Sequence, residues 1–126
     1  MTKVLFLDDM PVRRDVMLTK FPDLDYARTS WDAIRFLQVS YHDLDNKYDL
    51  VCLDYDLDLV TSGDTGDNVV GWLVDGGFAP ECSGTTFIVH STNLLRGPQM
   101  VDMLRTHGFK AHYVPFSYMM GGPFNR

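Results

Sequence analysis

The sequence predicts an α/β fold, a doubly wound five-stranded parallel sheet formed by one domain over residues 1–126. Three observations predict it. Val4-Leu5-Phe6-Leu7 and Leu50-Val51-Cys52-Leu53 are continuously apolar, which suits central strands covered on both faces, and Thr85 to Val89 makes another strand. Stretches with helical spacing lie between these runs, and strands alternating with helices imply a parallel sheet. A length of 126 residues with 45% hydrophobic content is enough for one core without disulfides or a structural metal.

The elements follow in order. After Val4–Leu7, Pro11 suits the first turn of a helix, where its missing N–H is not needed. Val12, Val16, Met17 and Phe21 give that helix an apolar stripe, and Pro22 ends it. A short strand spans about Leu24 to Ala27. Thr29 with Asp32 resembles a capping box opening a second helix, with Ala33, Ile34 and Leu37 as its buried face. Tyr41 to Tyr48 reads as a loop. Past the Leu50–Leu53 strand, the Asp-, Gly-, Thr- and Ser-rich stretch from Tyr55 to Asn68 is a long loop. A third helix runs from about Asn68 to Asp75, with Val69, Val70 and Leu73 inward and Gly76-Gly77 as its stop. The strand ending at Val89 is followed by a fourth helix opened by Pro98 and closed by Gly108. Ala111 to Val114 is the last strand, terminated by Pro115.

Composition narrows the function. No apolar run approaches a membrane span, and the Met1-Thr2-Lys3 start lacks the apolar region of a secretory signal, so a cytoplasmic location is expected. Cys52 and Cys82 suit a reducing compartment and lack metal-ligand spacing. A net charge of −6 with no basic stripe argues against an extended nucleic-acid groove. A small nucleotide or a nucleic-acid end stays open as a ligand, because one metal ion and one arginine hold one phosphate.

The chemistry gathers at the strand ends. In parallel sheets, ligands bind outside the carboxyl ends of the strands. Asp8, Asp9, Asp54, His90 and Ser91 all fall there. Carboxylates converging on one crevice repel each other unless a cation lies between them, and hard oxygen ligands suit Mg²⁺. A single aspartate after a strand is usually a loop or capping residue; three of them together point to a metal.

At these residues the sequence resembles the receiver domains of two-component response regulators. The acidic pair in VLFLDD, the aspartate in DLVCLDYDL and the hydroxyl in FIVHSTN match the receiver order from Lys3 to about Pro115. The resemblance implies a flavodoxin-like sheet, Mg²⁺ (or Mn²⁺) on Asp8, Asp9 and Asp54, a backbone carbonyl ligand from Asp56, and a phosphoryl contact from Ser91. The receiver lysine before the last proline is absent: that position is Val114, and Lys110 is at the far end of the strand. Gly121-Gly122-Pro123 is hostile to a helix, so the last helix is expected to be shortened or missing. LFLDDMP, LDYDLD and the His-Ser-x-Asn pattern of residues 90–93 are similar to the cyclic-phosphate-processing receiver-like domains of bacteria and bacteriophages. That resemblance implies handling of cyclic phosphate ends of RNA or nucleotides.

Other residues carry open expectations. His90 would act as a general acid or base, or hydrogen-bond its loop. Asn93 orients a phosphate or caps the following turn. Arg13 or Arg14 reaches a phosphate at the pocket mouth, or both belong to a solvated helix face. Asp58, Asp64 and Asp67 sit in a loop that gates the site, adds a metal ligand or is simply solvated. His42, His107 and His112 read as surface residues, and Trp31 and Trp72 as core rather than base-stacking platforms. The function expected first is a Mg²⁺-dependent phosphoesterase opening a cyclic phosphate, with Asp8, Asp9 and Asp54 on the metal, His90 as acid or base, and Ser91, Asn93 and Arg13 on the phosphate. The alternatives are a phosphoacceptor receiver modified on Asp54, and a module that sequesters a nucleotide or contacts a host protein. A homodimer paired through one helix face would fit the resemblance.

Overall fold

A computed structural model describes residues 2–43, 46–57 and 63–117. Its elements run β1 (Val4–Leu7), α1 (Pro11–Lys20), β2 (Asp25–Ala27), α2 (Ser30–Tyr41), β3 (Leu50–Leu53), α3 (Asp67–Asp75), β4 (Thr86–Val89), α4 (Arg96–Thr106) and β5 (Lys110–Tyr113). One short 3₁₀ turn, Pro80–Cys82, precedes β4. All five strands are parallel in the order β2-β1-β3-β4-β5, the flavodoxin-like arrangement. The order reverses between β1 and β3, so a crevice opens at their carboxyl ends. No helix among the described residues is long and apolar enough to cross a membrane.

Side chains alternate across each strand, so two cores form. Leu5, Leu7, Val51, Leu53, Phe87 and Val89 face α2, α3 and α4, meeting Ala33, Ile34, Leu37, Val69, Leu73, Met100 and Leu104. Val4, Phe6, Leu50, Cys52 and Ile88 face α1 through Met17, with Phe21, Leu24, Tyr26, Val114 and Phe116 at the margin. Burial on both faces explains why these strands read as unbroken apolar runs. Cys52 is a core residue, as its neighbours suggested.

Most elements match the sequence reading; Pro98, Trp31, Val12 and Asp64 depart from it. Pro98 lies in the third position of α4, which begins at Arg96. Its missing N–H is still one of the first-turn donors that has no partner within the helix. Trp31 is 65% exposed and Val12 61%, because each lies to one side of the stripe that its helix buries. Trp72 is half-buried between Tyr41 and Phe78, with ring centroids 5.9 and 4.4 Å away. Asp64 is not solvated: it is buried and accepts from the Ser30 amide at 2.8 Å and from Asn68 Nδ2 at 2.8 Å. The long loop is thereby tied to the start of α2, where Thr29 accepts from the Asp32 amide at 3.1 Å. Asp58 and the Gly121-Gly122-Pro123 tail, on which the expected loss of the last helix rests, lie outside the described residues.

Candidate metal and phosphate site

Sheet register assembles the site. Phe6, Cys52 and Ile88 are cross-strand partners on the α1 face. Two residues further along each strand lie Asp8, Asp54 and His90. Backbone bonds carry the pairing past the named strands: the Asp54 amide donates to the Leu7 carbonyl at 3.1 Å, and the His90 amide to Leu53 at 2.9 Å. Period two therefore puts all three side chains on the α1 face. One ligand atom from each lies within 4.8 Å of those of the other two, and all three residues are buried. Asp9, one position on, is half-buried and lies outside this trio.

Asp8 is the most heavily bonded member. Its Oδ1 accepts the Met10 amide at 2.8 Å. Its Oδ2 accepts Arg13 Nη1 at 3.2 Å and lies 3.1 Å from His90 Nε2. Burial alone would raise the Asp8 pKa, but His90, the Met10 amide and Arg13 outweigh it and hold the carboxyl below its ordinary value. The carboxylate accepts, so Nε2 of His90 carries the proton. His90 is completely buried, stacks on Phe6 with centroids 4.9 Å apart, and has no hydrogen-bond partner at Nδ1 among the described residues.

Asp54 is the contrasting member. Its Oδ1 accepts the Tyr55 amide at 2.8 Å, and its Oδ2 is 3.7 Å from Arg13 Nη1. Burial pushes its carboxyl up to about 6; the charge of Asp8 adds to this, and His90, Arg13 and the Tyr55 amide offset only part of it. One guanidinium does not compensate two buried carboxylates. The donor set therefore fits a divalent cation, since two hard oxygens with spare negative charge converge there.

Arg13 belongs to this site, not to a solvated face. It lies in the first turn of α1, where the helix dipole disfavours positive charge, so the two carboxylates account for its position. Arg14 pairs instead with Asp15 at 2.9 Å and lies over the Tyr26 ring, 5.2 Å from its centroid. Val114 lies at the margin of the apolar cluster that faces α1, as does Phe116.

The β4–α4 loop is braced from within. Ser91 is buried, its Oγ accepts the Asn93 amide at 3.0 Å, and its carbonyl accepts Tyr113 Oη at 2.8 Å. Asn93 caps the next turn: its Oδ1 accepts the Leu95 and Arg96 amides at 3.1 and 2.9 Å. Asp56 is half-buried, and its backbone bridges to Thr65 across the loop. His42, His107 and His112 are exposed, as expected.

Gly66 sets the position of Asp54. A Cβ there would overlap the Asp54 carbonyl oxygen and press on Met100 Cε at 2.9 Å. Gly66→Ala is expected to lower stability by about 2 kcal/mol, within the range for overpacking, and to weaken divalent-ion binding by moving Asp54. Denaturant melts and calorimetry with Mn²⁺ check both effects.

Sequence reasoning left the direction of His90 open and weighed Arg13 against a solvated face. Strand register was the missing signal for both, since β1, β3 and β4 pair in phase and α1 covers the even-numbered face.

The doubly wound sheet and the buried acidic cluster at its carboxyl edge define a receiver-type domain. Residues 3–106 match the family described as the cyclic-phosphate processing receiver domain, and the chain belongs to that family. Solved structures with the same fold include the manganese-bound form of response regulator Rcp1, at 15% identity and TM-score 0.66, covering 96% of this chain and 91% of that one. The Vibrio cholerae chemotaxis protein CheY4 is similar at 17% identity and TM-score 0.62, covering 91% and 86%. The response regulator domain of Thermotoga maritima CheB follows at 15% and 0.58, covering 95% and 88%. Such identities establish the fold alone. No curated protein matches the chain in sequence.

Proposed function

We propose that this chain is a divalent-metal-dependent phosphoesterase that opens a cyclic phosphate on a nucleotide or RNA end. The observation that carries the reading is the pair of buried carboxylates, Asp8 and Asp54, converging beside one guanidinium in a family defined by cyclic-phosphate processing. Receiver folds host many tasks, so the site and not the architecture supports the chemistry.

Asp8 and Asp54 would hold the ion, preferably Mg²⁺, with Asp9 and the Asp56 carbonyl completing its shell. Bound there, the ion supplies Lewis acidity toward a phosphoryl oxygen and lowers the pKa of water. The manganese-bound receiver that shares this fold lends support to a divalent ion. His90 directs its Nε2 proton to Asp8 from a fully buried position, so its role is to fix the orientation and charge of Asp8 and not to touch substrate. Arg13 faces the phosphate oxygens and offsets the negative charge that builds on them. Ser91 and Asn93 would shape the wall of the pocket, with Asn93 Nδ2 as a donor toward the phosphate. In the balanced reaction, water adds to phosphorus, one ring P–O bond breaks, the departing ribose oxygen takes a proton, and a phosphomonoester remains.

Phosphorus NMR of ribonucleoside cyclic phosphates with the protein and Mg²⁺ or Mn²⁺ is the test. The expected result is conversion to a phosphomonoester, abolished by chelation. No conversion of any cyclic substrate would remove the hydrolytic reading. An adduct on Asp54 in intact-mass spectra after acetyl phosphate treatment would replace it with the phosphoacceptor reading. Tight nucleotide binding with no product would replace it with sequestration.

A further inference from the structure

We propose that Arg13 is an exchangeable counter-ion: it bridges Asp8 and Asp54 until a divalent ion arrives, is displaced by that ion, and then engages the substrate phosphate. The inference rests on the metal reading given above and adds an order of events to it.

The geometry makes arginine and metal exclusive. A single nitrogen, Nη1, lies 3.2 Å from Asp8 Oδ2 and 3.7 Å from Asp54 Oδ2. It therefore occupies the approach to the oxygens that converge for an ion. A hard divalent ion bonds such oxygens at about 2.1 Å. Held there, it would leave Nη1 against a like charge at close range. Both carboxylates are buried, so solvent would screen that repulsion little.

The side chain also has a place to go. The Arg13 side chain is 19% exposed, so it is not sealed in by its neighbours. Its guanidinium carbon already lies 5.1 Å from the centroid of the Phe116 ring, a cation–π contact that does not depend on either carboxylate and supports the charge once they are lost. The residue is in the first turn of α1, where backbone dipoles push positive charge outward toward the crevice. A long side chain pivoting there trades one anionic partner for another without moving the helix.

The test is calorimetry on wild-type protein, Arg13→Gln and Arg13→Lys, first with Mn²⁺ alone. Removing a competing cation frees both ligands, so Arg13→Gln is expected to bind Mn²⁺ about tenfold more tightly than wild type. Arg13→Lys, which keeps charge without the fork, should fall between them. With Mn²⁺ saturating, the order reverses: a ribonucleoside cyclic phosphate should bind Arg13→Gln about tenfold more weakly than wild type. A merely structural arginine would weaken both ligands together. Equal or weaker Mn²⁺ binding by Arg13→Gln overturns the exchange while leaving the metal site intact. Absence of Mn²⁺ binding by all three proteins overturns the metal reading and the exchange with it.

Discussion

Asp54→Asn is expected to stabilise the metal-free protein at neutral pH by about 2 to 3 kcal/mol while abolishing divalent-ion binding and any turnover that depends on it. The stabilisation follows from the folded-state pKa of about 6, against an ordinary value of 3.8. Between these values the folded protein holds a proton that the unfolded chain has released. Stability from this group is therefore highest near the lower value and declines as pH rises through about 6. The asparagine carries no charge to bury and keeps an acceptor for the Tyr55 amide. Thermal melts from pH 4 to 7 with chelator present, at roughly half-unit steps, check it. Wild type should lose stability across that range and the variant should lose less. Saturating Mn²⁺ should erase the wild-type decline, because the ion neutralises the charge that causes it.

Asp8→Asn is expected to act with the opposite sign, lowering stability by about 3 kcal/mol. The asparagine turns an NH₂ donor or a single carbonyl toward two donors, Arg13 Nη1 and His90 Nε2, which both rely on Asp8 Oδ2. Switching the His90 tautomer does not help, because Nδ1 would then carry a buried hydrogen with no acceptor among the described residues. The Asp8 carboxyl lies below its ordinary value of 3.8 in the folded state, so its contribution is present above that value. It is lost as pH falls through the lower folded-state pKa. Urea unfolding at neutral and at acidic pH checks this: the deficit of Asp8→Asn should be large at neutral pH and shrink in acid. Equal signs for Asp8→Asn and Asp54→Asn would contradict the electrostatic asymmetry described for the pair.

Much of this was legible in the sequence, for identifiable reasons. The apolar runs at Val4–Leu7 and Leu50–Leu53 read correctly because strands buried on both faces permit few polar residues. Asp8 and Asp54 stood out because each ends such a run. What sequence spacing could not supply was phase between strands. Asp8, Asp54 and His90 share a face only because their strands pair in register. Arg13 was hard to separate from Arg14, since the distinction depends on which side of α1 meets the sheet. Trp31 misled because a large apolar residue beside a buried stripe looks like part of it. Asp64 misled in the other direction: a polar loop hid a carboxylate whose hydrogen bonds are made inside the fold, to Ser30 and Asn68.

The claim on which the function rests is that a divalent ion is held between the tips of β1 and β3. The most direct measurement is an anomalous difference map, collected at the manganese edge, from crystals grown with Mn²⁺. A peak bonded to carboxylate oxygens of both Asp8 and Asp54 is the predicted result. A map without density there, at an Mn²⁺ concentration that saturates other divalent-ion proteins, would contradict it.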